Sequence, residues 1–166
     1  GLGARLAKIG RDEAVALAGN GCYVDLTAFP VEDGEDAWSA TEGLQRYLAS
    51  GAPADRVTIS SDAGGCLPCF DAEGRVSSMD VGHSGALLET LRTLVDSGMP
   101  RETALPAFTA NPARLLRLAR KGRVEAGADA DLVALDATGG AHTVIIRGEI
   151  HVRNGQAIRR GTFENR

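Results

Sequence analysis

The stretch Val57-Thr58-Ile59-Ser60-Ser61-Asp62-Ala63-Gly64-Gly65-Cys66 decides how the chain folds. Three β-branched residues favour extended backbone, two small serines follow, and a single carboxylate comes immediately before glycines that stop a strand. The pattern predicts a buried strand that ends by presenting Asp62 at its carboxyl edge. In α/β folds, ligands and reacting groups collect at that edge.

Before this stretch, apolar residues at Leu2, Leu6, Ile9, Val15, Leu17 and Ala18 predict a helix over 2–18, with Gly10 as a possible break, stopped by Gly19-Asn20-Gly21. Cys22 to Phe29 reads as a strand closed by Pro30. Asp33 to Asp36 supply acidic capping residues for a helix carrying Ala37, Ala40, Leu44, Tyr47 and Leu48 and ending near Gly51-Ala52-Pro53. Helix, strand, helix and strand alternate through short links, which predicts parallel strands joined by crossover helices.

After it, residues 63–82 read as a long loop, with a possible small hairpin at Phe70–Val76 turning at Glu73-Gly74. Ser84 reads as the N-cap of a helix whose stripe is Leu87, Leu88, Leu91, Leu94 and Val95, with Gly98 as its C-cap. Pro100 can open another helix, and Asn111-Pro112 is a cap-plus-first-turn signal for a helix near 112–119. Past Lys121 the texture turns to short β segments at 131–135, 143–147 and 149–152, with Asn154-Gly155 as a hairpin turn before Gln156-Ala157-Ile158.

At 166 residues the chain is long enough for a sizeable core, and its 43% hydrophobic and 24% charged residues are ordinary for a globular protein. A net charge of −4 offers no electrostatic case for nucleic acid or an anionic membrane. No apolar run approaches the length of a transmembrane helix. The start, Gly1-Leu2-Gly3-Ala4-Arg5-Leu6, is neither a signal peptide nor a Met start, which suggests that the chain begins inside a longer parent. Cys66-Leu67-Pro68-Cys69 has C-x-x-C spacing but lacks the second pair of a zinc knuckle and the following helix of a redox motif. Together with Cys22 it reads as reduced thiols in a cytoplasmic protein.

Taken together, several stretches resemble a known superfamily. Lys121-Gly122-Arg123-Val124-Glu125-Ala126-Gly127-Ala128-Asp129-Ala130-Asp131-Leu132-Val133-Ala134-Leu135-Asp136 is similar to the segment by which amidohydrolase-superfamily enzymes leave their metal-bearing (β/α)₈ barrel for a small β-sandwich. Asn111-Pro112-Ala113-Arg114 resembles the helix start just before it. Val57–Gly65 with Leu67-Pro68, Phe70-Asp71 and the closing Arg160-Gly161-Thr162-Phe163-Glu164 resemble the isoaspartyl (β-aspartyl) dipeptidase branch. The resemblance runs over nearly the whole chain from about Arg11. It implies an α/β fold: the C-terminal part of a metal-dependent-hydrolase TIM barrel over 1–122, then part of a β-sandwich over 123–166.

It also implies two metal ions, usually zinc, and a bridging hydroxide that attacks a β-aspartyl peptide bond. Asp62 alone matches the carboxylate that ends the last barrel strand, touches one metal and moves the proton from water to the leaving amine. A hard carboxylate ligand suits zinc, and near a metal-activated water it serves as general base. Gly64, Gly65 and Cys66 match a loop that meets the substrate's α-carboxylate. The family carries Ser near the Cys66 position, and a thiol is the weaker donor. Gly64 and Gly65 have backbone N–H groups to offer.

The resemblance also calls for a His-x-His pair, a bridging Lys and two further His. None can be placed, since His83, His142 and His151 fall at the wrong points of the order. One carboxylate does not hold a catalytic zinc, which takes about three protein ligands. The expectation is a portion of a longer enzyme, inactive by itself, whose assembly is a homo-oligomer. Other readings are a different amidohydrolase, imidazolonepropionase-like or dihydroorotase-like, or a non-catalytic assembly module that keeps the fold.

Among remaining residues, His83 reads as an exposed helix-entry residue, His151 as solvent-facing on a sheet, and Trp38 as helix packing. Asp25 lies mid-strand and either supports the site or bonds within the core. Arg114, Arg117, Arg120, Lys121 and Arg123 form a short basic run that reads as a solvated face or an interface.

Overall fold

The computed structural model describes residues 11–31, 37–71 and 73–161. The expected helical residues 2–10, the acidic stretch Asp33–Asp36, Ala72 and the closing Thr162-Phe163-Glu164 lie outside the described residues.

Helix α1 covers Arg11–Gly19, strand β1 Val24–Thr27, helix α2 Ala40–Ala49 and strand β2 Val57–Ser60, the last preceded by a 3₁₀ turn at Ala54–Arg56. β1 is shorter than the expected Cys22–Phe29, and β2 stops two residues short of Asp62. The two strands pair in parallel with Val24 opposite Val57 and Thr27 opposite Ser60, and α2 lies on the connection between them. This is the repeating unit of an α/β fold, as the alternation predicts.

Helix α2 starts because the Ser39 hydroxyl accepts the Glu42 N–H at 3.2 Å, and Arg46 pairs with Glu42 one turn earlier. It buries Ala40, Gly43, Leu44 and Tyr47. Gly43 faces Leu26, and a Cβ there would stand 3.4 Å from Leu26 Cδ2, an ordinary packing distance. Val24, Leu26, Val57 and Ile59 share one face of the strand pair by their alternation, and all four belong to the core or pack against it. Helix α3, Ala86–Asp96, adds Leu91 and Leu94. Leu44 and Leu94 have no exposed surface, and each contributes about 1.5–3 kcal/mol through burial.

Three expectations need correction. The stretch 63–82 is mostly a hairpin rather than a long loop: the turn at Glu73-Gly74 stands where expected, but its strands run further, with β3, Cys66–Phe70, antiparallel to β4, Val76–Val81. Every residue of β4 is exposed, so no alternation of apolar and polar residues marked it. The N-cap of α3 is Gly85, in helical backbone and without a side-chain cap bond, rather than Ser84. Asn111 does not cap a helix from outside. It lies within α5, Ala110–Leu115, where it is 1% exposed. Its Nδ2 donates at 2.8 Å to both the Ala54 and Val57 carbonyls, which fixes the start of β2. Between α3 and α5 stand α4, Arg101–Ala104, and a 3₁₀ turn at Leu105–Phe108.

The packing divides the chain into two units, one running to Pro112 and the other starting at Ala113. The second carries β5 (Leu132–Leu135), β6 (Ala141–Ile146), β7 (Glu149–Arg153) and β8 (Gln156–Ala157) as one antiparallel sheet in chain order. Arg120 and Lys121 both bind Asp129, Lys121 also binds Asp131, and Arg123 pairs with Glu125. The basic run is therefore largely matched by the acids of its own segment.

Candidate active site

β2 ends at Ser60, and the chain turns at Asp62, whose φ of 47° lies in the left-handed region that aspartate tolerates better than most residues. Asp62 is exposed at the carboxyl edge of the strand. Its carbonyl accepts the Gly65 N–H at 2.8 Å. Its carboxylate lies over Gly65, where a Cβ would stand 2.6 Å from Oδ2. Gly82, at the far end of the hairpin, is buried against the Asp62 carbonyl so closely that a Cβ there would clash with it. The Gly64 N–H donates to the Gly82 carbonyl at 2.8 Å, and the Gly82 N–H to the Gly65 carbonyl at 3.0 Å. The base of the β3–β4 hairpin is thus a clasp closed around Asp62. The Gly64 and Gly65 N–H groups are both engaged inside it.

Cys66 opens β3 opposite Val81 with its thiol exposed, and Cys69 is half-buried. Three positions apart on a strand, they face opposite sides, and both are free thiols. His83 directly follows the clasp, exposed, with Nε2 4.0 Å from Glu89 Oε2. His142 Nδ1 lies 3.0 Å from Thr143 Oγ1, and His151 is half-buried in β7 beside an open cavity shared with Lys121, Arg147 and Glu149. Trp38 stands one residue before the α2 cap with the Arg46 guanidinium 4.6 Å from its ring centre. Among the described residues, no three His, Cys, Asp or Glu side chains gather as a metal would require.

The other face of the strand pair is polar. Asp25 in β1 sits opposite Thr58. Its Oδ1 accepts the Thr58 hydroxyl at 2.6 Å and its Oδ2 the Ser60 hydroxyl at 2.5 Å. The sequence carried a signal for this clamp, since Asp25 and Thr27 alternate with Val24 and Leu26 just as Thr58 and Ser60 alternate with Val57 and Ile59. Only the register joins them. Gly82 and Asn111 were likewise visible as residues, but not in their roles.

The family description "Amidohydrolase family" matches residues 13–151. A β-aspartyl dipeptidase from Fervidobacterium islandicum AW-1, solved with a β-Asp-Leu dipeptide, is 31% identical with a TM-score of 0.84, covering 98% of this chain and 41% of that one. A second structure of β-aspartyl dipeptidase from the same organism gives 28% identity and a TM-score of 0.73 over 92% of this chain and 37% of that one. An N-acetyl-D-glucosamine-6-phosphate deacetylase from Mycobacterium smegmatis gives 26% and 0.60 over 84% of this chain and 40% of that one. The chain spans about two fifths of the length of the solved structures it matches. The match over 13–151 covers the strand that leads to Asp62, its clasp, and the passage into the β sheet: the chain belongs to the amidohydrolase family, a family of hydrolases.

Proposed function

We propose that the protein hydrolyses the β-aspartyl (isopeptide) bond of dipeptides, with Asp62 as the group that moves the proton. The observation that carries this reading is the exposed Asp62 carboxylate held at a strand's carboxyl edge by glycines, in a chain 31% identical over 98% of its length to a β-aspartyl dipeptidase solved with β-Asp-Leu. Water adds across the amide: its oxygen joins the carbonyl carbon, the C–N bond breaks, and the amine leaves protonated. Asp62 takes the proton from the attacking water and returns it to the leaving nitrogen. The clasp fixes the backbone that carries Asp62, and the carboxylate lies against Gly65. Gly64, Gly65 and Cys66 remain the proposed lining for the substrate's own carboxylate. The two glycines contribute close backbone approach, and Cys66 an exposed thiol.

The family is generally metal-dependent. Of the two zinc ions in this reading, Asp62 is the one ligand among the described residues, and these residues do not by themselves form a zinc site. The same reading makes the 166-residue chain inactive alone and assigns 1–122 to the barrel and 123–166 to the sandwich. It makes the whole protein a cytoplasmic homo-oligomer. The test is hydrolysis of β-Asp-Leu beside α-Asp-Leu and dihydroorotate by the full-length protein. Preference for the β-linked dipeptide supports the reading, and preference for the cyclic amide replaces it with a dihydroorotase-like one.

A further inference from the structure

We infer that Asp25 is a positioning residue for the reaction, setting Asp62 in place through the hydroxyls of Thr58 and Ser60; this rests on the proposed role of Asp62 in proton transfer. An ionised carboxylate only accepts hydrogen bonds, so both hydroxyls must donate to it, and their side-chain torsions are fixed together. Thr58 is 3% exposed, a buried polar group whose partner is a charge. Ser60 is held twice, by Asp25 at its hydroxyl and by the Ala28 N–H, 2.7 Å from its carbonyl.

Beyond Ser60 the parallel ladder ends, because β1 stops at Thr27. Asp62 is two residues further on. Its place is therefore set from two sides, by Ser60 on the strand and by Gly65 and Gly82 in the clasp. Loosening Ser60 lets the turn at Asp62 shift while the apolar face of the strands, made by Val57 and Ile59, stays packed on the helices. Misplacement of a reacting group by about 1 Å is enough to slow a reaction by about 100-fold.

Asp25→Ala, Asp25→Asn and Ser60→Ala, made in the full-length protein, test this through two readouts. The first is amide hydrogen exchange, which needs no activity. Asp25→Ala and Ser60→Ala are expected to speed exchange at Gly64, Gly65 and Gly82 by about tenfold or more, with Leu91 and Leu94 of α3 changing by less than about twofold. Asp25→Asn keeps an acceptor and a polar partner, and is expected to return the three glycine amides to within about threefold of wild type. The second readout is turnover of β-Asp-Leu: kcat falls about tenfold or more in the two Ala variants, KM stays within about twofold, and Asp25→Asn recovers most of kcat.

A uniform rise in exchange would mean that Asp25 only stabilises the fold, and unchanged glycine amides would mean that it holds nothing at Asp62. Either result overturns the inference, as does local loosening with kcat unmoved. Equal loss of kcat in Asp25→Asn and Asp25→Ala would make Asp25 a reacting group and overturns it too. A wild type that does not cleave β-Asp-Leu sinks the proposed function instead, and the exchange pattern still decides whether the clamp sets Asp62.

Discussion

Asp62 shows how much of a site can depend on residues with no side chain. Its carboxylate leans on Gly65, a contact the side chain itself could relieve, whereas its carbonyl is backbone pressed against Gly82, so Gly82 must be glycine for steric reasons rather than for backbone freedom. Gly64 differs: nothing lies near its missing Cβ, but its φ of 84° disfavours any L side chain. Gly82→Ala is accordingly expected to destabilise the protein by about 1–3 kcal/mol, as overpacking against fixed backbone does, and to displace Asp62. Gly64→Ala is expected to cost about 1–2 kcal/mol, the ordinary left-handed penalty, with the carboxylate left in place. Urea denaturation together with the backbone amide shift of Asp62 separates the two, and equal shifts of Asp62 in both would contradict the steric account.

Asn111 ties an element to the strand that matters. Its side-chain amide satisfies the carbonyls of Ala54 and Val57 from a fully buried position. Asn111→Leu leaves both carbonyls without that partner, and about 2–4 kcal/mol of stability should be lost in chemical denaturation. Loss of less than about 0.5 kcal/mol would mean that water replaces the amide. The segment 120–131 responds to pH instead. Hydrogen bonding from Lys121, then from the Arg147 N–H, holds the Asp131 carboxyl below its ordinary 3.8, and the same contact with Asp131, then Asp129, raises Lys121 above 10.5. A depressed carboxyl stabilises fully above its unfolded value and stops doing so as pH falls through the lower folded one. A raised amine stabilises fully below 10.5 and stops as pH rises past its folded value. The Arg147 amide, which donates to Asp131 Oδ1 at 2.7 Å, should therefore report loosening in acid below 3.8 and in alkali above 10.5, and be flat between. A midpoint above 3.8 on the acid side would contradict the arrangement.

What the sequence revealed of these elements follows their physics. α2 and α3 were legible because Leu44, Tyr47, Leu91 and Leu94 repeat at helical spacing on a buried face. The parallel pair was legible because β-branched residues alternate with helices. Of the β3–β4 hairpin only the turn at Glu73-Gly74 was legible: Pro68, Ser77, Ser78 and Asp80 dilute the β character of its strands, and with β4 wholly exposed there is no inner face to impose a pattern. Asn111 beside Pro112 carries the local signature of a cap, and only a contact with residues more than fifty positions away reveals its other use. Asp62 could be read at the end of its strand, whereas the Asp25 clamp depends on a register that no local pattern encodes.

For the molecule as a whole, family membership and the gathered residues point to different requirements. The chain belongs to a family that is generally metal-dependent, yet the described residues bring no three ligating side chains together. Zinc titrated into the 166-residue chain is expected to show no stoichiometric site that Asp62→Ala removes. Calorimetry that finds one zinc per chain, lost in that variant, would contradict this. The chain spans about two fifths of the length of a solved β-aspartyl dipeptidase, so the proposed reaction is tested on the full-length protein. The most direct test is turnover of β-Asp-Leu by that protein and by its Asp62→Asn variant. The account expects hydrolysis by the wild type and a fall in kcat of about 10²–10⁴-fold in the variant with its fold unchanged. Wild-type turnover that survives Asp62→Asn, or no β-aspartyl cleavage by the wild type at all, would contradict it.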